Sequence, residues 1–162
     1  MPKGLGTVVA LVLLGAQAVS SPLAAERIAG ALAPLSVRHV WLGEPRRGAG
    51  EVVVPVHIDD LSEVVAIDLD LRFTAARPTA VQARTTALLA GFMALSNLVG
   101  DTLKVAIAGA QPAAGGGPFM EVVTPGEEVP ALAFVGVALN GGRIPVEFPG
   151  SQEEGTDTAI DA

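Results

Sequence analysis

The stretch EVVVPVHIDDLSEVVAIDLDLRF, residues 51–73, decides the fold. Val52, Val54, Val56 and Ile58 alternate with Val53, Pro55 and His57. After a polar break at Asp59-Asp60-Leu61-Ser62-Glu63, a second run sets Ile67, Leu69, Leu71 and Phe73 on one face and Asp68, Asp70 and Arg72 on the other. Successive side chains of a strand point to opposite faces, so a period of two in β-branched residues predicts strands packed on a core. The two runs read either as a hairpin or as two neighbouring strands.

Working outward, the same grammar repeats. Ser36 to Leu42 predicts a first strand, with Val37, His39 and Trp41 alternating against Arg38, Val40 and Leu42. Arg46 to Gly50 reads as a turn leading into the valine strand. Thr79 to Thr86 predicts a strand, and Thr86 to Met93 is compatible with a short helix. Gly100-Asp101 is a turn signal before Thr102 to Ala108, where Leu103, Val105 and Ile107 share a face. The loop from Gly109 to Pro118 is expected to lead to that strand's partner, Phe119 to Val123. Val129 to Leu139, a tight Asn140-Gly141-Gly142 turn and Arg143 to Phe148 close the pattern. About eight or nine short strands predict an all-β fold, an antiparallel β-sandwich with jelly-roll topology.

Composition narrows the function. With 162 residues, 50% hydrophobic and 17% charged, the chain suits one globular domain with a real core. A net charge of -7, with its ten Lys and Arg scattered, argues against a nucleic-acid partner. The absence of cysteine removes disulfides, thiolate metal sites and a cysteine nucleophile. Lys3, the apolar run Val8 to Leu14 and the small residues of Ala16-Gln17-Ala18 predict a secretory signal peptide over residues 1–18, cleaved after Ala18. That run is too short to span a bilayer, which takes about 20 apolar residues, so no stable membrane span is expected after cleavage. Residues 19–35 read as a flexible segment, 36–148 as the sandwich and 149–162 as an acidic disordered tail.

No motif announces chemistry. Gly-x-Ser-x-Gly, a Ser-Lys pair and His-Glu-x-x-His are all missing, so no catalytic residue is assigned and the chain reads as a non-enzyme without cofactor. Asp59, Asp60 and Glu63 lack the order of a calcium loop and read as a polar turn. His39 and His57 lie in different strands without a third ligand, so no metal site is assigned and both read as half-buried strand residues. Gly115-Gly116-Gly117 lacks the Lys-Ser/Thr of a phosphate loop and reads as a flexible hairpin.

The order of these signals resembles the bacterial cohesin module, the extracellular jelly-roll domain that binds dockerin modules in cellulosomes. The resemblance runs from Ser36 to Phe148. Val52 to Ile58 is similar to the family's second strand, with its Val-x-Val-Pro-Val pattern, and Ile67 to Phe73 to the next. Gly100 to Ala108 resembles the central strand, Gly115 to Val123 the Gly-rich approach to the following one, and Leu139 to Val146 the closing hairpin. The resemblance implies a secreted or cell-surface protein–protein interaction module whose partner is a dockerin-bearing protein folded around calcium. It also places the strand of Asp68, Asp70 and Arg72 on the dockerin-recognising face. Their side chains would stand about 7 Å apart on one surface, where charges orient and steer a partner. An ordinary solvated face gives the same pattern. Two other functions fit a sandwich of this kind. One is a carbohydrate-binding module for polysaccharide, disfavoured by one Trp, five Phe and no Tyr; the other is a structural surface protein associating through sheet edges.

Overall fold

A computed structural model describes residues 36–151. The expected signal peptide, the segment 19–35 and most of the expected acidic tail lie outside them. The described chain is built from strands: β1 (Arg38–Leu42), β2 (Arg46–Gly48), β3 (Glu51–Ile58), β4 (Ala66–Phe73), β5 (Gln82–Thr85), β6 (Met93–Val99), β7 (Thr102–Ala108), β8 (Gly117–Pro125), β9 (Leu132–Leu139) and β10 (Val146–Glu147). They form two sheets. One has the order β10-β1-β3-β8-β5, with β2 also pairing β3, and the other has the order β6-β7-β4-β9. All pairings are antiparallel except β1 with β10.

The deciding stretch supplies a central strand to each sheet. β3 and β4 are therefore neither a hairpin nor neighbours, because they belong to opposite layers of the sandwich. The reason lies in the break between them. Leu61 and Val64 are fully buried and turn inward to plug the sandwich end, so the chain crosses from layer to layer there. The Leu61 N–H donates to the Gly115 carbonyl at 2.8 Å, and the Val64 N–H to that of Leu61 at 3.0 Å. Gly115-Gly116-Gly117 is thus a packed crossing and not a flexible hairpin. A Cβ on Gly116 would stand 1.9 Å from the Asp59 carbonyl oxygen, so only glycine fits.

The same layering redirects other pairings. β7 pairs with β4 and β6, while β8 lies in the opposite sheet between β3 and β5. The closing segment is likewise no hairpin: β10 leaves β9 to pair with β1, and only Ile144 bridges back to Leu139. Asn140 organises this corner, its Oδ1 accepting from the Val65 and Ala66 N–H groups at 2.9 and 3.0 Å and its Nδ2 donating to the Glu63 carbonyl at 2.8 Å. Arg46 to Gly48, read as turn, forms β2 along the same edge of β3 that β1 occupies. The Gly43 N–H donates to the Pro55 carbonyl at 2.8 Å and bridges the gap between β1 and β2.

The inner faces make one core. Val40, Val52, Val54, Val56, Ile58, Phe119, Met120 and Val122 come from the larger sheet and meet Ile67, Leu69, Leu71, Phe73, Leu103, Val105 and Ile107 from the smaller. This is the predicted alternation, with both strands of residues 51–73 contributing every second side chain. The fold is an all-β sandwich of two antiparallel-rich sheets.

Candidate functional site

β4 is an interior strand of the smaller sheet, flanked by β7 and β9, so its outward residues lie in the middle of that sheet's outer face. Asp68 stands opposite Ala106 and Ala138, Asp70 opposite Lys104 and Gly136, and Arg72 opposite Thr102 and Ala133. The structure brings all three onto one surface, as alternation requires, but gives them different company. Lys104 Nζ lies 2.6 Å from Asp70 Oδ2 and partly neutralises it. Arg72 Nε lies 3.9 Å from Asp101 Oδ2, a loose and exposed pair. Asp68, between two alanines, takes part in no ion pair among the described residues.

What the sequence pattern missed lies beside them. Residues 93–99, of which Met93 was assigned to a short helix, form edge strand β6; the helical part is one 3₁₀ turn over Ala87–Leu89, capped by Thr86. Ala94, Ser96 and Leu98 stand opposite buried Ile107, Val105 and Leu103, so they have the inward parity. Met93, Leu95 and Val99 therefore face outward, 73%, 71% and 51% exposed. A rule that puts the larger apolar residues inside cannot find such a strand. The available signal was punctuation: Gly100-Asp101 is a two-residue hairpin joining β6 to β7, with Gly100 at φ +62.

The outer face of the smaller sheet thus has an apolar edge, a floor of small residues at Ala106, Ala138 and Gly136, and a central charged stripe. It is a shallow surface; Leu95, Asn97, Asp68, Asp70 and Lys104 border a depression of about 350 Å³. Nothing in it arranges a nucleophile against a base.

The remaining sequence candidates lie elsewhere. His39 is exposed, not half-buried, because Arg38 and Val40 take the inward parity of β1. Its Nδ1 lies 2.8 Å from Asp59 Oδ2 and its Nε2 3.3 Å from Glu147 Oε2. The Asp59 hydrogen bond, with the charges of both carboxylates, outweighs the modest effect of desolvation and raises the His39 pKa. Desolvation would push Asp59 up, yet hydrogen bonds from His39 and from the Asp60 N–H prevail and hold its carboxyl below the usual value. Asp60 is lowered too, by the Ser62 hydroxyl and N–H. It also meets the largely buried Arg38 guanidinium at 3.2 Å. These acids are committed to protein donors, and among the described residues no three His, Cys, Asp or Glu gather as a metal would require. His57 is half-buried and stacks on Trp41.

No family model and no curated protein matches the sequence. Solved structures do resemble the fold. A non-cellulosomal cohesin from the hyperthermophilic archaeon Archaeoglobus fulgidus superposes with a TM-score of 0.54 at 20% identity, over 70% of this chain and 86% of that one. The fold is cohesin-like. The sixth cohesin of scaffoldin B from Acetivibrio cellulolyticus, solved in complex with a Cel5 dockerin, superposes on the cohesin-like domain with a TM-score of 0.53 at 12% identity, over 70% and 94% of the two chains. The jelly-roll topology expected from sequence is the one these cohesins share. Among the described residues no helix of the cohesin-like domain is long and apolar enough to cross a membrane.

Proposed function

We propose that this cohesin-like domain is a secreted or cell-surface, non-catalytic docking module that binds a dockerin-type protein through the outer face of its smaller sheet. One observation carries the reading: β6 turns Met93, Leu95 and Val99 outward at the rim of a surface floored by small residues. Soluble monomers seldom leave large apolar side chains grouped in this way unless a partner covers them. A floor of Ala106, Gly136 and Ala138 lets a helix or loop approach the sheet closely. Asp68, Asp70 and Arg72 would then set orientation and association rate more than affinity. The resemblance to cohesins, one of them solved with a dockerin, supports this choice of partner.

The test is calorimetric titration of the domain with a panel of calcium-loaded dockerin modules, repeated with Leu95→Asp. Saturable binding is expected from at least one dockerin. Leu95→Asp should weaken it at least tenfold, about 1.4 kcal/mol or more, with an unchanged Tm because Leu95 contacts solvent. Equal binding by wild type and variant, or no binding across the panel, would refute the reading.

A further inference from the structure

The larger sheet carries an unusual feature on its own outer face. The chain has one tryptophan, and it is not in the core: Trp41 lies outward on β1 and is 39% exposed. It is nevertheless held firmly. On the β3 side its ring stacks on His57, with centroids 5.4 Å apart and planes inclined by 20°. His57 is itself fixed by Gly43, where a Cβ would stand 2.5 Å from its Nε2. Missing side-chain volume at Gly43 is thus what lets the imidazole sit against the indole.

On the opposite flank, toward β10, Trp41 walls a cleft of about 260 Å³ shared with His39, Glu147, Phe148, Pro149 and Ser151. β10 runs parallel to β1 and places Glu147 beside His39. The turn after it is closed by the Ser151 N–H donating to the Phe148 carbonyl at 3.0 Å and the Phe148 N–H donating to Ser151 Oγ at 3.2 Å. The cleft therefore joins a rigid aromatic wall to a carboxylate, an imidazole and a hydroxyl at its rim.

We propose that this cleft binds a single pyranose ring of a neutral carbohydrate, stacked on Trp41. A pyranose has an apolar face of C–H bonds and an equator of hydroxyls that both donate and accept. The first suits an indole held flat, and the second suits Glu147 as acceptor and Ser151 as donor. The cleft, about 260 Å³, is smaller than typical sites for drug-sized molecules, roughly 300 to 1,000 Å³, so it is matched to one ring. Glu147 is already engaged by the His39 ring at 3.3 Å, which leaves it less free to hold a cationic ligand. The proposal is independent of the docking face, which lies on the other sheet.

Trp41 is the sole tryptophan, and it also borders a depression on the β3 side with Gly43, Arg46, Pro55 and His57, so its fluorescence detects binding and amide shifts assign it to one flank. The intact protein is titrated with methyl glycosides of glucose, xylose, galactose, mannose and N-acetylglucosamine, with choline as a cationic control. A saturable change with a millimolar midpoint is expected for at least one glycoside. Amide chemical shifts read in parallel should move at His39, Glu147 and Ser151. These shifts should vanish in Trp41→Ala, and Glu147→Gln should raise the midpoint at least fivefold. Leu95→Asp should leave sugar binding unchanged, which separates this site from dockerin recognition. No saturable response to any glycoside, an equal response to choline, or shifts that persist in Trp41→Ala would overturn the proposal.

Discussion

The two outer faces of this sandwich arise from the same alternation of side chains and are finished in opposite ways. On the larger sheet the charges answer one another across strands: Arg46 with Glu121, Arg84 with Glu51 at 3.4 Å, and His39 with both Asp59 and Glu147. On the smaller sheet only Asp70 and Lys104 form a close pair, and edge strand β6 has no ionisable residue. A face whose charges are already paired offers a macromolecular partner little new interaction. A face with a neutral, apolar edge exposes surface that association would remove from water. The proposed docking face is therefore the one whose surface is left unsatisfied.

The comparison breaks most completely from beneath. Leu69 is fully buried under the charged stripe, between Asp68 and Asp70. Leu69→Ala should cost about 2–5 kcal/mol, since a tightly packed core leaves a cavity that collapses only in part. Chemical denaturation should show that loss with little change in m-value. A cost under about 1 kcal/mol would mean that the smaller sheet does not depend on the shared core.

A weaker perturbation sharpens the contrast between the surfaces themselves. Arg46 and Glu121 reach over β3 and are both solvent-accessible. A double-mutant cycle of Arg46→Ala and Glu121→Ala should give a coupling of only about 0.2–1 kcal/mol, because water screens an exposed pair and ordering two long side chains costs entropy. The coupling should fall in high salt. Dockerin binding should be unaffected, whereas Leu95→Asp should lose it at unchanged stability. Coupling well above that range would mark the larger sheet's charges as a structural network.

Much of this architecture was legible in residues 51–73, because one face of each strand is buried and burial forces large apolar residues onto alternate positions. Strand identity was therefore readable where strand pairing was not. Whether β3 and β4 share a sheet depends on where Leu61 and Val64 point, and no local pattern records that direction. Asp68, Asp70 and Arg72 were placed on a common outer face by parity alone. β6 escaped because Ala94 and Ser96 share the inward parity with Leu98 while Met93, Leu95 and Val99 face outward. The residues that best support a docking face were hidden for the same reason that they support it: they break the rule that large apolar side chains go inside. Trp41 was visible, but its exposure depends on the parity of β1, which the buried Arg38 obscures by occupying a core position.

The smallest effect concerns the clasp at the end of the larger sheet, where His39 joins the loop after β3 to β10. The His39 pKa is raised from its ordinary 6.5, so its contribution to stability is complete below that value and is lost as pH rises through the native one. The Asp59 pKa is lowered from 3.8, so its contribution is complete above that value and is lost as pH falls through the native one. The clasp is thus at full strength between those two ordinary values, with protonated His39 between two carboxylates. Comparing the Tm of wild type and His39→Gln across the pH range should show the largest gap inside that window. The gap should narrow on the alkaline side, where the imidazole loses its charge, and on the acid side, where Asp59 is neutralised. Both groups are in contact with water, so the gap should remain smaller than the effect of Leu69→Ala. A Tm difference independent of pH would show that His39 holds β10 by packing and not by charge, and the larger sheet would then owe less to its paired surface than the contrast with β6 implies.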